Sequence, residues 1–166
     1  MAAKDLTAAR VRELLNYDEA TGLLSWRVRR GSRAPAGAKA GSINAAGYLV
    51  VWVDGGCHRA HRLAWLHAYG AWPKDDVDHM DGDRTNNRIG NLRDVDRSTN
   101  LQNLRAPVRP SKSGLLGVAW FPRDLKWSAR IRVDGKRRHL GYFLTKELAH
   151  GAYLEAKRKL HAGCTI

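Results

Sequence analysis

A strict alternation of apolar and polar residues over residues 127–133 restricts the fold more than any other feature of the sequence. The apolar positions are Trp127, Ala129, Ile131 and Val133, and the polar positions between them are Ser128, Arg130 and Arg132. Alternate side chains of a strand lie on the same face, so this pattern predicts a half-buried strand. The Asp134-Gly135 pair that follows is typical of a tight turn into a second antiparallel strand.

Further elements are predicted around this hairpin. Residues 114–122 are expected to form a preceding strand, residues 137–143 the strand after the turn, and residues 145–162 a helix capped by Thr145. The apolar side of this helix is expected to comprise Leu148, Ala149, Ala152, Tyr153, Ala156 and Leu160. The sequence therefore predicts a three-stranded antiparallel sheet packed on one α-helix, with the arginines on the opposite face of the sheet.

The N-terminal part mixes short helices and strands, which gives the whole chain an α+β class. Helices are predicted at Thr7–Tyr17, at residues 61–70 and at residues 96–105, the last capped by Asp96. Strands are predicted at residues 23–29, in a hairpin over residues 47–62 that closes on Asp54-Gly55-Gly56, and at residues 93–95. Prolines and serines predict a linker at 106–113, between domains at 1–105 and 114–166.

The charge of the chain indicates a polyanionic partner. The net charge is +13, and residues 107–166 carry 13 Lys and Arg against 4 Asp and Glu. No apolar run reaches the ~18 residues that a membrane-spanning helix needs, and the N-terminus lacks the apolar core of a signal peptide. We therefore expect a protein that acts on nucleic acid in the cytoplasm.

The segment 77–92, VDHMDGDRTNNRIGNL, contains the strongest candidate for a catalytic site. Phosphodiester hydrolysis needs a hard cation on the phosphate and a base for the attacking water. Asp78 can bind the cation, and His79 can serve as the base because the ordinary histidine pKa of ~6.5 lies near neutral pH. Amide side chains such as Asn87 and Asn91 can pin the polar loop that follows.

Residues 15–105 resemble the HNH (His-Asn-His) endonucleases of phages and mobile introns, which have a ββα-metal motif. The resemblance is carried by His61-Arg62, Asp78-His79, Asp81-Gly82, Asn86-Asn87, Asn91-Leu92, Asn100 and Asn103.

This resemblance implies a role for each matched position. Asp78 and Asn100 would be metal ligands, His79 the general base, and Asn91 the residue that orients the base and braces the loop. One carboxylate and one amide oxygen suit a single Mg²⁺ or Mn²⁺ ion. His61 is expected either to contact the scissile phosphate or to pack against the motif.

Each of these residues also has a structural interpretation. Asp78 could be a turn residue, His79 a strand histidine with satisfied ring nitrogens, and Asn100 a capping or solvated side chain. Arg62 is expected to contact a phosphate or to brace an acidic side chain rather than to take part in the chemistry.

Residues 112–163 resemble the DNA-binding domain of plant ethylene-response factors (the APETALA family), which places a three-stranded sheet in the DNA major groove. The carrying residues include Gly117-Val118, Trp127, Leu140-Gly141, Phe143 and Ala152-Tyr153. The residues expected to contact DNA are Arg123, Lys126, Arg130, Arg132, Arg137 and His139. Ala119 and Phe121 replace arginines of the plant domains and His139 replaces a tryptophan, so the target sequence does not carry over.

Together these features predict a metal-dependent endonuclease that nicks double-stranded DNA, of phage or homing type, acting as a monomer or as a transient dimer on DNA. One alternative is a DNA-binding transcriptional regulator with an inactive HNH scaffold. Another is a colicin-like toxin, which an appended DNA-binding domain disfavours. RNA is disfavoured because the major groove of an A-form duplex is too narrow for a sheet.

Overall fold

The structure is a computed structural model that describes residues 6–32, 34–107 and 111–166. By its contacts the chain divides into two compact units, Met1–Asp96 and Arg97–Ile166. Part of the linker predicted at 106–113, residues 108–110, lies outside the described residues.

The described residues contain a mixture of helix and sheet, which agrees with the α+β class. The α-helices are α1 (Ala8–Leu14), α2 (Ala60–Tyr69), α3 (Arg97–Gln102) and α4 (Lys146–Leu160). The strands are β1 (Leu15–Asp18), β2 (Leu23–Trp26), β3 (Ser42–Ile43), β4 (Leu49–Val53), β5 (Gly56–Arg59), β6 (Asp76–His79), β7 (Leu92–Val95), β8 (Val118–Phe121), β9 (Lys126–Val133) and β10 (Lys136–Phe143). None of the helices within these ranges is long and apolar enough to span a membrane.

The first helix is shorter than the sequence predicts. Thr7 caps α1 as expected, because its side chain accepts a hydrogen bond from the backbone N–H of Arg10. The helix ends at Leu14, and the segment predicted to continue it to Tyr17 forms β1, antiparallel to β2. Strand pairing buries Leu15 completely in the core, and this packing overrides local helix propensity.

The hairpin of β4 and β5 and the helix α2 form as predicted. The turn between the strands has Asp54 and Gly55 at positive φ, 47° and 82°, as the short Asp-Gly turn requires. Gly70 ends α2 in the left-handed conformation, φ 78°. The buried face of α2 packs with the strands around Val51 and Val53 to form the main core of the first unit.

The strands β6 and β7 form a separate antiparallel hairpin that holds the polar loop. Their register pairs Asp78 with Arg93 and His79 with Leu92. Val77 and Leu92 pack on Ala64 of α2, which anchors the hairpin to the core. The two ends of the polar loop, residues 80–91, are therefore held side by side by the hairpin.

The second unit has the predicted meander with order β8-β9-β10, and α4 begins at its cap Thr145. The apolar side of α4 differs from the prediction, because Leu148 and Leu160 are exposed and the buried residues are Ala149, Tyr153 and Lys157. Lys157 is buried because its Nζ donates a hydrogen bond to the carbonyl of Leu104.

The division between the units precedes the linker that the sequence predicts. Three contacts attach the last residue of α3 and the residues after it to the rest of the second unit. Lys157 holds the carbonyl of Leu104, Gln102 Oε1 accepts from the backbone N–H of Gly163 at 2.9 Å, and the Thr165 hydroxyl donates to the side chain of Asn103.

Gly22 provides a test of how the first hairpin supports the polar loop. A methyl group at Gly22 would overlap the backbone of Asn87 and Arg88, and Gly22 has φ +75°. Gly55 has a similar φ, +82°, with open space around it. We expect Gly55→Ala to cost about 1 kcal/mol of backbone strain. Gly22→Ala should cost ~1–3 kcal/mol more from overpacking. Urea unfolding of the two variants measures the difference, and equal losses would contradict the contact.

Candidate active site

The polar loop between β6 and β7 is closed by its own side chains. The Asn91 amide nitrogen donates to Asp81 Oδ1 and to the carbonyl of Asn86, both at 2.9 Å. Its amide oxygen accepts from the backbone N–H of Asp81 at 3.1 Å, and Asn86 donates to Asp81 Oδ2 at 2.6 Å. Asn91 therefore braces the loop, as the sequence predicts.

The two loop carboxylates are occupied within the loop. Burial raises the pKa of Asp81, but hydrogen bonds from Asn86 and Asn91 outweigh it and hold this pKa below its usual value. Asp83 accepts hydrogen bonds from the hydroxyl and the backbone N–H of Thr85, which lower its pKa. These contacts indicate that Asp81 and Asp83 stabilise the conformation of the loop.

The closed loop places Asn87 against His79. Both residues are buried, and His79 Nε2 lies 3.1 Å from Asn87 Oδ1. This contact fits a tautomer in which Nε2 donates to the amide oxygen of Asn87. The resemblance assigns the orientation of the base to Asn91, whereas the structure gives this contact to Asn87. Tyr17 fixes Asn87 further, because its hydroxyl donates to the Asn87 carbonyl at 2.7 Å.

Asp78 forms an ion pair with the residue opposite it in the hairpin. Arg93 donates from Nε and Nη2 to Asp78 Oδ2 at 2.9 and 2.8 Å, and the Asp78 side chain is 9% exposed. Charge-assisted hydrogen bonds of this kind compensate a buried carboxylate for the loss of water. Asp78 is therefore a buried strand residue and not a solvated turn residue.

His61 lies beside His79, within the first turn of α2. The two rings are perpendicular with centroids 4.9 Å apart, and His61 is 2% exposed. Among the described residues, His61 Nδ1 has no hydrogen-bond partner. Burial lowers the pKa of His61 to about 3, and the nearby charges of His79, Arg59 and Arg62 lower it too. His61 is therefore neutral near neutral pH.

Arg62 is engaged with the chain that leads into β6. Its Nη1 donates to the carbonyl of Asp75 at 3.1 Å, and its guanidinium lies over the Trp72 ring. Asn100 lies on α3, and Asn103 follows that helix, so both belong to the second unit.

The second unit places the predicted basic residues on one sheet face. The register pairs Arg132 with Arg137 and Arg130 with His139, and such opposite residues point to the same side of a sheet. Arg130 Nε donates to the hydroxyl of Ser128, at 3.0 Å. Lys126 begins β9 and pairs with Phe121, and Arg123 is exposed in the turn before it.

An aromatic cluster on this face was not predicted. Tyr142 lies with its ring centroid 5.0 Å from that of Phe121 and 4.5 Å from that of His139. An irregularity in pairing between His139 and Gly141 shifts the register, which places Tyr142 opposite Ser128 on the basic face. The alternation in the sequence does not reveal such a shift.

The sequence alone also does not identify other residues near His79 and Asp78. Arg93 is identified only by the strand register, since nothing in its local sequence marks it as the partner of Asp78. The Tyr48 ring lies near both histidines, with centroid distances of 5.4 Å to His61 and 6.2 Å to His79. It comes from a turn far away in sequence, so spacing gives no signal.

Comparison with known proteins identifies a domain and a relative of this chain. An HNH endonuclease family model matches residues 58–102, the range that contains all the residues proposed for catalysis and metal binding. Protein 3.8 of Escherichia phage T7 is 30% identical over 104 residues, which cover 62% of this chain and 84% of the phage protein. The chain belongs to the family of phage T7 protein 3.8. No solved structure matches it significantly.

The HNH domain gives the general character of the protein. The HNH domain indicates a nuclease that acts on DNA. The expected resemblance to HNH endonucleases is therefore confirmed at the level of the domain.

The buried, neutral His61 predicts a pH dependence of stability. Its folded pKa of about 3 lies below the ordinary value of 6.5, so the unfolded chain binds the proton first. The contribution of neutral His61 to the free energy of unfolding is complete above pH 6.5. It is lost as the pH falls toward 3, by up to ~1.4 kcal/mol per pH unit. We expect the stability advantage of wild type over His61→Gln to shrink between pH 6.5 and 4. Urea unfolding across this range measures it, and parallel curves would contradict the burial of a neutral ring.

Proposed function

We propose that this protein is an endonuclease that hydrolyses a phosphodiester bond of double-stranded DNA, with His79 as the general base. The observation that carries the proposal is the hydrogen bond between His79 and Asn87, formed in a buried site directly beside Asp78. A catalytic base must be held in one orientation and one tautomer, and this contact supplies both.

The hydrogen bond favours Nδ1 of His79 as the nitrogen that acts as the base. While Nε2 donates to Asn87, the lone pair on His79 Nδ1 can accept a proton from an attacking water. His61 contributes a neutral, rigid ring against His79, which excludes water from one side of the base. As the water loses its proton to Nδ1, the partial negative charge of the Asn87 oxygen stabilises the positive charge that develops on His79.

The residues present fit a hard divalent ion. HNH nucleases typically use divalent metal ions, and Asp78 supplies a buried carboxylate oxygen. The described ranges contain no group of three or more His, Cys, Asp or Glu side chains suited to hold a metal. An oxygen donor such as this carboxylate suits Mg²⁺ or Mn²⁺, which keep several waters and bind phosphate oxygens, better than Zn²⁺.

We propose one such ion per site, held by Asp78 and, as the family resemblance implies, by Asn100. When bound, it would polarise the phosphate and stabilise the leaving oxygen. Arg93 orients the Asp78 carboxylate by holding Oδ2 from two nitrogens.

The second unit is proposed to hold the enzyme on duplex DNA through its basic sheet face, in the manner of the ethylene-response-factor type. Arg132 lies directly opposite Arg137, and like charges in that position destabilise a sheet. A polyanion lying on the face removes this repulsion. The placement of these arginines therefore favours a DNA-binding role over simple solvation.

A single active site per chain cuts one strand, so we propose a nicking enzyme of phage or homing type that acts in the host cytoplasm. It would work as a monomer or as a transient dimer on DNA. The alternative is a transcriptional regulator with an inactive HNH scaffold. The hydrogen bond that holds the buried His79 against Asn87 supports the nuclease.

A plasmid relaxation assay tests the proposal. Supercoiled DNA is incubated with wild type in Mg²⁺, in Mn²⁺ and in EDTA, and with His79→Ala in each metal. We expect metal-dependent conversion to open circles, and a loss of ~10²-fold or more in His79→Ala, the usual contribution of general base catalysis. His150→Ala, a histidine on α4, is the matched control and should cleave like wild type.

Absence of cleavage in both metals, together with salt-sensitive binding to the same DNA, would contradict the nuclease and support the regulator. Cleavage that persists in His79→Ala would contradict the role of His79 while leaving a nuclease. Linear product in place of open circles would show that two sites act together.

A further inference from the structure

Two arginines stack on a single tyrosine ring beside His61 and His79, the histidine pair. The guanidinium carbon of Arg59 lies 4.7 Å from the ring centroid of Tyr48, and that of Arg84 lies 4.9 Å from the same centroid. Arg59 ends β5 and Arg84 comes from the polar loop, so two distant segments converge on this ring. The ring itself neighbours His61 and His79.

The turn that presents Tyr48 is tightly built. Asn44 Oδ1 accepts hydrogen bonds from the backbone N–H groups of Ala46 and Tyr48, both at 3.0 Å. Arg84 Nη1 donates to the carbonyl of Ala46 at 2.7 Å, so the loop arginine is tied to the same turn that carries the ring. Cation–π stacking and this hydrogen bond hold the Arg84 guanidinium in place.

The charges of the two arginines are not neutralised by the protein. In the part of the chain that the structure describes, neither Arg59 nor Arg84 forms an ion pair, and both residues are exposed. By contrast, Arg10 and Arg93 each pair with an aspartate. Two oriented, unneutralised guanidiniums at one ring form a site for an anion with several acceptor oxygens.

We propose that Arg59, Arg84 and Tyr48 form a clamp for the DNA phosphate that lies at the histidine pair. The proposal rests on the proposed function, because it takes the anion to be a backbone phosphodiester. Each guanidinium donates to non-bridging oxygens of the phosphate, and Tyr48 is the positioning residue that fixes both. The clamp would seat the phosphate beside His79 and counter the negative charge that grows on it during hydrolysis.

The clamp is tested by the salt dependence of binding to a short duplex oligonucleotide, measured by fluorescence anisotropy. Each phosphate contact releases ~0.9 counterion, so Arg59→Ala and Arg84→Ala should each reduce the slope of log K against log salt by about 0.9. Arg29→Ala removes the same charge from an exposed position of the first unit and should leave the slope unchanged. Tyr48→Leu should reduce the slope, and Tyr48→Phe should restore it.

Binding needs no cleavage, so this experiment separates the clamp from the nuclease. Slopes equal to that of Arg29→Ala would overturn the clamp even if wild type nicks DNA. Reduced slopes in Arg59→Ala and Arg84→Ala support the clamp even if wild type proves inactive. Tyr48→Phe behaving like Tyr48→Leu would overturn the positioning role, and circular dichroism of each variant excludes a loss of folding.

Discussion

The closure of the loop between β6 and β7 on itself is the constraint on which the candidate site depends. Hydrogen bonds join the side chains of Asn91, Asp81 and Asn86, so a long polar segment keeps one shape without a hydrophobic core. That shape returns the chain eight residues after His79 and places Asn87 against its ring. The contact between Asn87 and His79, on which the proposed base depends, follows from this one closure.

The rest of the first unit supports that loop from outside. The turn before β2 packs on the backbone of Asn87, and Tyr17 donates to its carbonyl. The helix α2 contributes Ala64 to the anchor of the hairpin and His61 to the wall beside His79. The buried polar contacts of the first unit are thus concentrated around a single histidine, which is typical of a functional site.

The sequence predicted what depends on local pattern and on family motif. The meander of the second unit, the caps at Thr7 and Thr145 and the bracing role of Asn91 follow from alternation, capping preference and the amide-rich loop. It missed what depends on contacts distant in sequence. Strand pairing ended α1 early, Lys157 of α4 is buried while Leu148 and Leu160 are exposed, and only the strand register brought Arg93 to Asp78.

The central claim is that the loop holds His79 in the tautomer that leaves Nδ1 as the base. Long-range proton–nitrogen NMR of the histidine rings tests it without knowledge of the DNA target. The account predicts that His79 is protonated at Nε2 in wild type, and that Asn87→Ala yields a mixture of tautomers. A His79 ring protonated at Nδ1 in wild type would contradict the assignment of the base, and with it the proposed arrangement of the site.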